Sequence, residues 1–466
     1  MRRDVKINQD LVGKKPSFHQ QNDGSASYRI FLWLALIVAG IFIIASWRRG
    51  TVEPLFEPTP VPTRTADSYL LEARSHFAAG RIDDPDPTRL DAIEAYQKAL
   101  ELDPQNVAVM SELAHVMTYS SSLLPTIEQR RERLNQARDN IDKATELAPD
   151  DSNVYAIRTF VYDWYANPLI SGDQAPEYLQ EARNAAARAL QLNPNNAMAL
   201  AFYAEVLVDQ QEWSQADEYV KQAVELDANL MDAHRVRGYV QESLGNYNTA
   251  IEEYLKAAEI NPNLTFLYIS IGLNYRSLKV YNRALEYFEK AANINDALDI
   301  KDPLPYIEIA KTYAQQGEFF IASRNGEKAL SFDPTNANTY GQLGSIYVQA
   351  RNYEGALPTL QCAVEGCTLE ITTAEVMLPD GSTLMTCPAS GCSLPADQPQ
   401  PVQVQVEALP LSSLTVAYYY IRYGSVLAAL NLCDQAIPVL NQVSQKYPDD
   451  TVIAQIIAEN YSICGR

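Results

Sequence analysis

Few residues in this chain of 466 are of types that combine into catalytic or metal sites. The four histidines, His19, His76, His115 and His234, are scattered, which leaves little for imidazole acid–base chemistry or metal ligation. There is no H-E-x-x-H, no G-x-S-x-G and no G-x4-G-K-[ST]. The spacings that zinc proteases, serine hydrolases and P-loop enzymes need are therefore missing. Asp83, Asp84 and Asp86 form an acidic cluster, but without the alternating oxygens and distant bidentate Glu of a calcium loop they read as solvated. Four of the six cysteines, Cys362, Cys367, Cys387 and Cys392, form two C-x4-C pairs. Disulfides suit an oxidising compartment, four thiolates could close a zinc site, and unpaired thiols are the third alternative. Asn263-Leu264-Thr265 and Asn460-Tyr461-Ser462 match the glycosylation sequon, a short pattern that often occurs by chance. No enzyme activity, no cofactor and no bound metal are expected.

Any element that positions these residues must fit the composition. Hydrophobic residues make up 47% and charged residues 20%, an ordinary globular balance. Lys and Arg number 37 against 58 Asp and Glu, a net charge of -21. Such a surface repels phosphates, so nucleic acid is not an expected partner. The length exceeds one compact core, which points to several domains or a repeat array.

Residues 30–47 are an uncharged run of 18, IFLWLALIVAGIFIIASW. As a helix it extends about 27 Å, close to the hydrocarbon thickness. Small residues at the −3 and −1 positions of a cleavage site are absent, so an uncleaved transmembrane helix is expected rather than a signal peptide. Six basic residues precede it (Arg2, Arg3, Lys6, Lys14, Lys15 and Arg29) and three follow closely (Arg48, Arg49 and Arg64). Positive charge favours the cytoplasmic side, so residues 1–29 are expected inside and the rest outside. The linker 48–65, with Pro54, Pro58, Pro60 and Pro62, reads as an extended spacer.

Beyond residue 65 the dominant signal is self-similarity. Ala92, Ala137, Ala182, Ala216, Ala250, Ala284, Ala322, Ala356 and Ala436 recur within amphipathic stretches at steps of 45, 45, 34, 34, 34, 38, 34 and 80. The unit is 34 residues, with extra residues in some copies. In residues 231–262, Gly238 is a small residue that permits close contact and Gly245-Asn246 breaks the helix. Tyr247, Ala250, Tyr254 and Ala257 stripe a second helix that Asn261-Pro262 ends. The pattern resembles the tetratricopeptide repeat family over residues 66–450. Ala228 and Asp296 stand where a closing Pro is expected, and Ala186 and Gly326 replace a large second-helix residue.

The resemblance implies an all-α, right-handed superhelical solenoid of about nine helix pairs with a concave inner face. Its expected organisation is repeats one to eight over 66–365, a cysteine-containing β-rich insertion over 366–413, the last repeat over 414–450 and a capping helix over 451–466. Residues 368–378 and 382–386 are expected strands around the turn Pro379-Asp380-Gly381, and PVQVQVE at 401–407 alternates as a third. Parallel stacking of first helices in this architecture would bring Cys433 and Cys464 within disulfide reach.

A concave groove should be lined by first-helix residues outside the repeat core: Asn153, Phe160, Trp164, Phe202, Glu205, Arg235, Tyr239, Phe266 and Arg276. Aromatics with interspersed polar groups suit a protein or peptide ligand. The terminal-carboxylate clamp of chaperone-binding relatives is not expected, because Tyr239 rather than Asn lies one turn after Arg235. The expected function is a membrane-tethered, extracytoplasmic scaffold for protein or peptide binding, with bacterial cell-envelope assembly as the fitting context. The alternatives are an enzyme or enzyme accessory of envelope glycan metabolism that uses the cysteine-rich insertion, or a cytoplasm-facing adaptor if the topology is reversed.

Overall fold

The computed structural model describes residues 27–48, 64–84, 89–124, 127–371, 375–377, 383–386 and 402–465. Residues 27–48 and the body from Thr65 onward are separate units. In the first unit, Ser27–Arg48 is a helix of 22 residues. Part of its side chains lie outside the described residues, and among those described no helix is long and apolar enough to cross a membrane.

The second unit is an all-helical solenoid. Its first eight pairs are Ala66–Ala78 with Ala92–Leu102, Val107–Ser121 with Ile127–Leu147, Ser152–Tyr165 with Ala175–Leu192, Ala197–Asp209 with Trp213–Leu226, Met231–Ser243 with Tyr247–Ile260, Thr265–Ser277 with Tyr281–Leu298, Leu304–Gln316 with Phe319–Phe332, and Ala337–Gln349 with Tyr353–Val364. Leu414–Ala429 with Cys433–Lys446 forms the ninth, and Thr451–Ile463 closes the stack. All nine recurring alanines, from Ala92 to Ala436, lie on second helices and are fully buried. Nothing larger fits where neighbouring helices press together at crystal-like density.

In the fifth, sixth, eighth and ninth pairs a glycine of the first helix faces a large residue of its partner. A Cβ on Gly238 would lie 2.8 Å from the Tyr254 ring, and one on Gly424 would lie 2.7 Å from Leu440. The seventh pair departs from this rule, because Ala310 and Gly326 are both small. There Leu343 reaches in from the next pair, its Cδ1 3.0 Å from where a Gly326 Cβ would be. The hydrophobic core divides near this point into two large clusters.

The turn between paired helices has a shared geometry that composition conceals. Gln211, Gly245, Lys279, Gly317, Arg351 and Asn431 have φ of 63°, 78°, 60°, 82°, 58° and 62°. Each of these turns needs one left-handed residue, yet only two of the six are glycine. Between pairs, Asn106, Asn196 and Asn336 cap the next first helix by accepting from its backbone amides. Where Asp296 replaces the closing Pro, Tyr281–Leu298 runs on to 18 residues and stops at Asp299 in the left-handed region.

The insertion is a four-stranded antiparallel sheet in the spatial order Thr383–Thr386, Glu375–Met377, Cys367–Ile371, Val402–Val406. The stretch 368–378 is thus two strands rather than the expected one, with Ile371 opposite Val376. This stretch, rich in β-branched residues, carries no Gly, Pro or Asn to announce the reversal. Leu369 and Val406 turn inward and join the C-terminal core. The Tyr420 hydroxyl donates to the Leu409 carbonyl at 2.8 Å and ties the sheet's exit to the ninth pair. Cys362 and Cys367 are bonded across the junction, and Cys433 is bonded to Cys464 with Cα atoms 5.6 Å apart. Cys387 and Cys392 lie outside the described residues.

Candidate ligand-binding groove

First helices of the second to seventh pairs, joined by Leu179 and Tyr254 from second helices, line a groove of about 780 Å³. One wall is the connection inside the third pair and the start of its second helix, where Asn167, Pro168, Ala175 and Pro176 line the space. Asn167 accepts from the Leu169 amide and starts the short helix Pro168–Ser171. That segment is the extra length that lengthens the third repeat.

Arg235 forms the floor. Its Nη1 and Nη2 donate to Glu205 Oε1 and Oε2 at 2.9 and 2.6 Å, and its Nε points to Asp232 Oδ1 at 3.4 Å. Burial opposes the guanidinium charge, but the Glu205 carboxylate outweighs it and holds Arg235 well above its ordinary value. Arg235 also lies over the rings of Phe160 and Tyr119, at 5.3 and 5.5 Å. Asp232 completes the support: the Tyr119 hydroxyl donates to its Oδ1, and His115 Nε2 stands 3.3 Å from its Oδ2. Burial would raise the Asp232 carboxyl, but His115, Arg235 and Tyr119 bring it down to about 2.

The aromatic wall is continuous. Tyr119 stacks on Phe266 at 5.0 Å and meets Trp164 edge-on at 5.8 Å. Trp164 Nε1 donates to Glu205 Oε1 at 3.3 Å. At the mouth the Tyr239 hydroxyl donates to Asp209 Oδ1 at 2.8 Å. Partial burial lifts the Asp209 carboxyl to about 6; the Tyr239 hydrogen bond opposes this, and Glu205 adds to the rise. Asp163 is only 4% exposed, and its Oδ1 has no hydrogen-bond partner among the described residues. Burial, then the charges of Asp209 and Glu205, push its carboxyl well above the ordinary value.

The structure brings Trp164, Glu205, Arg235, Tyr239 and Phe266 together in this groove. Four other expected lining residues are elsewhere. Phe160 and Phe202 are fully buried behind the floor, stacked at 4.6 Å. Arg276 pairs with Glu308 at 2.6 Å toward the seventh pair. Asn153 accepts from Asn196 Nδ2 at 2.9 Å near the helix start. Tyr119, Asp163, Asp209 and Tyr254 line the groove unanticipated. Asp209 was within reach of sequence reasoning, being one turn beyond Glu205 on the same helix. Tyr119 was not, because its partners Asp232 and Phe266 lie more than a hundred residues away.

The other chemical candidates are structurally committed. Asp83 pairs with Arg133 at 2.6 Å, while Asp86 lies outside the described residues. Among the described residues no group of His, Cys, Asp and Glu could hold a metal ion. Asn263 Nδ2 donates to the Ala78 carbonyl at 3.1 Å, and Asn460 is buried and donates to the Ile456 carbonyl. Neither sequon asparagine presents an unengaged amide.

Set against known proteins, the tetratricopeptide repeat profile matches residues 91–106, 236–264 and 267–297. No curated protein sequence matches the chain. Among solved structures, similarity extends to the Cut9–Hcn1 hetero-tetramer of the APC/C, at 16% identity and a TM-score of 0.47, covering 63% of this chain and 52% of that one. A tetratricopeptide repeat protein from Parabacteroides merdae is 16% identical with a TM-score of 0.36, over 60% of this chain and 98% of its own. YrrB, described as a TPR protein with an unusual peptide-binding site, is 24% identical with a TM-score of 0.25, over 44% and 94%. Residues 91–106, 236–264 and 267–297 thus match tetratricopeptide repeats, and they lie in a helical solenoid, a scaffold suited to protein or peptide binding.

Proposed function

We propose that the protein is a non-enzymatic scaffold that binds an extended segment of a partner protein in the groove lined by Trp164, Tyr239 and Phe266, held at a membrane by residues 30–47 with the repeats outside the cytoplasm. The observation that carries the binding reading is the groove itself. Its volume of about 780 Å³ is open to solvent, walled by aromatics and floored by a rigid buried ion pair. A groove with stacking surfaces and fixed polar groups recognises a peptide without remodelling. The Arg235 charge is already paired with Glu205 and Asp232, so it is a poor clamp for a terminal carboxylate, and the ligand is gripped along its length. The tether reading rests on the uncharged run of 18 residues, and the orientation on six basic residues before it against three soon after. A role in bacterial cell-envelope assembly suits a tethered solenoid on a proline-rich spacer.

A photo-crosslinking residue at Tyr239 should capture a partner, while the same residue at exposed Glu225 should not. Equal capture at both positions refutes the groove. Protease added to spheroplasts should digest the repeats and leave residues 1–29 protected; untouched repeats with an active cytoplasmic reporter at the C-terminus refute the orientation.

A further inference from the structure

We propose that the interior of this groove is a cation subsite, in which Asp163, together with Asp209 at the mouth, receives the lysine or arginine side chain of the bound segment. The inference rests on the peptide-groove reading and names the anchor residue of that peptide. The first observation is the orphaned oxygen. Asp163 Oδ1 is buried, lines the groove and has no donor among the described residues. A buried carboxyl oxygen without a donor is unfavourable, and one that lines a groove can receive the missing donor from a ligand.

The second is the charge balance. Three carboxyl groups, of Asp163, Glu205 and Asp209, line the groove against one guanidinium, that of Arg235. The single charge of Arg235 is paired with Glu205 and, through Nε, faces Asp232, so it cannot also balance the charges of Asp163 and Asp209. An anionic ligand would add to this excess, whereas an ammonium or guanidinium brings donors and opposite charge. The third is the lining. Trp164 and Tyr239 flank the acidic groups and offer faces for the aliphatic stem and for cation–π contact.

Without a cation beside it, the Asp163 carboxyl is pushed well above the usual carboxylate range by burial and the charges of Asp209 and Glu205, against the opposing pull of Arg235. An incoming cation reverses that balance and releases the proton. The groups that face Asp163 are Glu205 and Asp209 from Ala197–Asp209 and Arg235 from Met231–Ser243, with Tyr119 and Tyr239 nearby.

The test screens the full chain against an array of random N-acetylated 12-residue peptides; acetylation stops terminal amines from scoring. Groove binders are those lost in Trp164→Ala. They should share a Lys or Arg, and replacing it with norleucine or citrulline should weaken binding at least about tenfold, as for loss of one partner of a buried charged pair. Asp163→Asn, which keeps the side-chain shape, should weaken the basic peptide similarly and bring it close to its norleucine analogue. Calorimetry in phosphate and in Tris should differ for wild type, reporting proton release, and agree for Asp163→Asn. Groove binders without basic residues overturn the cation subsite and leave the peptide groove standing. So does a basic peptide that binds Asp163→Asn as tightly as wild type. An array with no groove-dependent binder overturns both.

Discussion

The ion pair between Glu205 and Arg235 should behave as a coupled unit, and a double-mutant cycle measures that coupling. Both side chains are only 8% exposed, and two hydrogen bonds at 2.9 and 2.6 Å join them. Glu205→Leu leaves a buried guanidinium whose nearest remaining carboxylate is Asp232, 3.4 Å from Nε. Breaking a buried pair by removing one partner costs about 3–5 kcal/mol. Asp232 offsets part of this, so about 3 kcal/mol is expected here. Arg235→Met strands Glu205 beside Asp163 and Asp209, with only the Trp164 indole still donating to it. No second cation lines the groove among the described residues, so the upper end, about 4–5 kcal/mol, is expected. The double variant Glu205→Leu/Arg235→Met removes both charges and both desolvation penalties. It should lie within about 1 kcal/mol of wild type, because apolar replacement of a buried pair is often neutral. A solenoid of this length need not unfold in one step. Native-state hydrogen exchange over Ala197–Asp209 and Met231–Ser243 therefore gives a better readout than a global melt. Single variants costing under about 1 kcal/mol, or a double variant costing the sum of the singles, would refute the claim that the floor is a coupled unit.

Gly238→Ala should cost roughly 1–3 kcal/mol by pushing a methyl into the Tyr254 ring 2.8 Å away; an unchanged exchange rate in Met231–Ser243 and Tyr247–Ile260 would contradict that packing. Cys464→Ser opens the bond to Cys433, 31 residues away, and should loosen Thr451–Ile463 by roughly 3–4 kcal/mol while Tyr247–Ile260 keeps its protection. Uniform loss of protection along the stack would show that the effect is not local. Asp91 and Asp209 are both raised to about 6, in each case with burial as the largest cause. Between the unfolded value of 3.8 and about 6 the folded chain holds more protons than the unfolded one. Stability contributed by these two groups therefore falls as pH rises through that window and levels off above it. Asp209→Asn should flatten the groove's part of the decline between pH ~4 and ~6; an unaltered pH profile would argue against the assignment.

The repeat was legible because a solenoid writes its core periodically. Each of the nine alanines occupies the same close contact, so one physical requirement recurs along the chain and survives insertions. The elements that obey no period were not legible. The left-handed turns hide behind Gln211, Lys279 and Arg351, since these residue types rarely adopt that conformation and so do not announce it. The reversal within 368–378 was invisible because no Gly, Pro or Asn marks it.

Sequence alone determined the amphipathic helices, the small-against-large packing and the inward face of each first helix, because these follow from contacts within 34 residues. Only tertiary structure decided which inward residues meet. Winding carries Tyr119 to Asp232 and Phe266 across more than a hundred residues. It seals Phe160 and Phe202 behind the floor and sends Arg276 to Glu308. It also leaves Asp163 buried without a donor, because whether a carboxyl reaches water or a partner depends on the curvature of the whole stack and not on its place in a repeat.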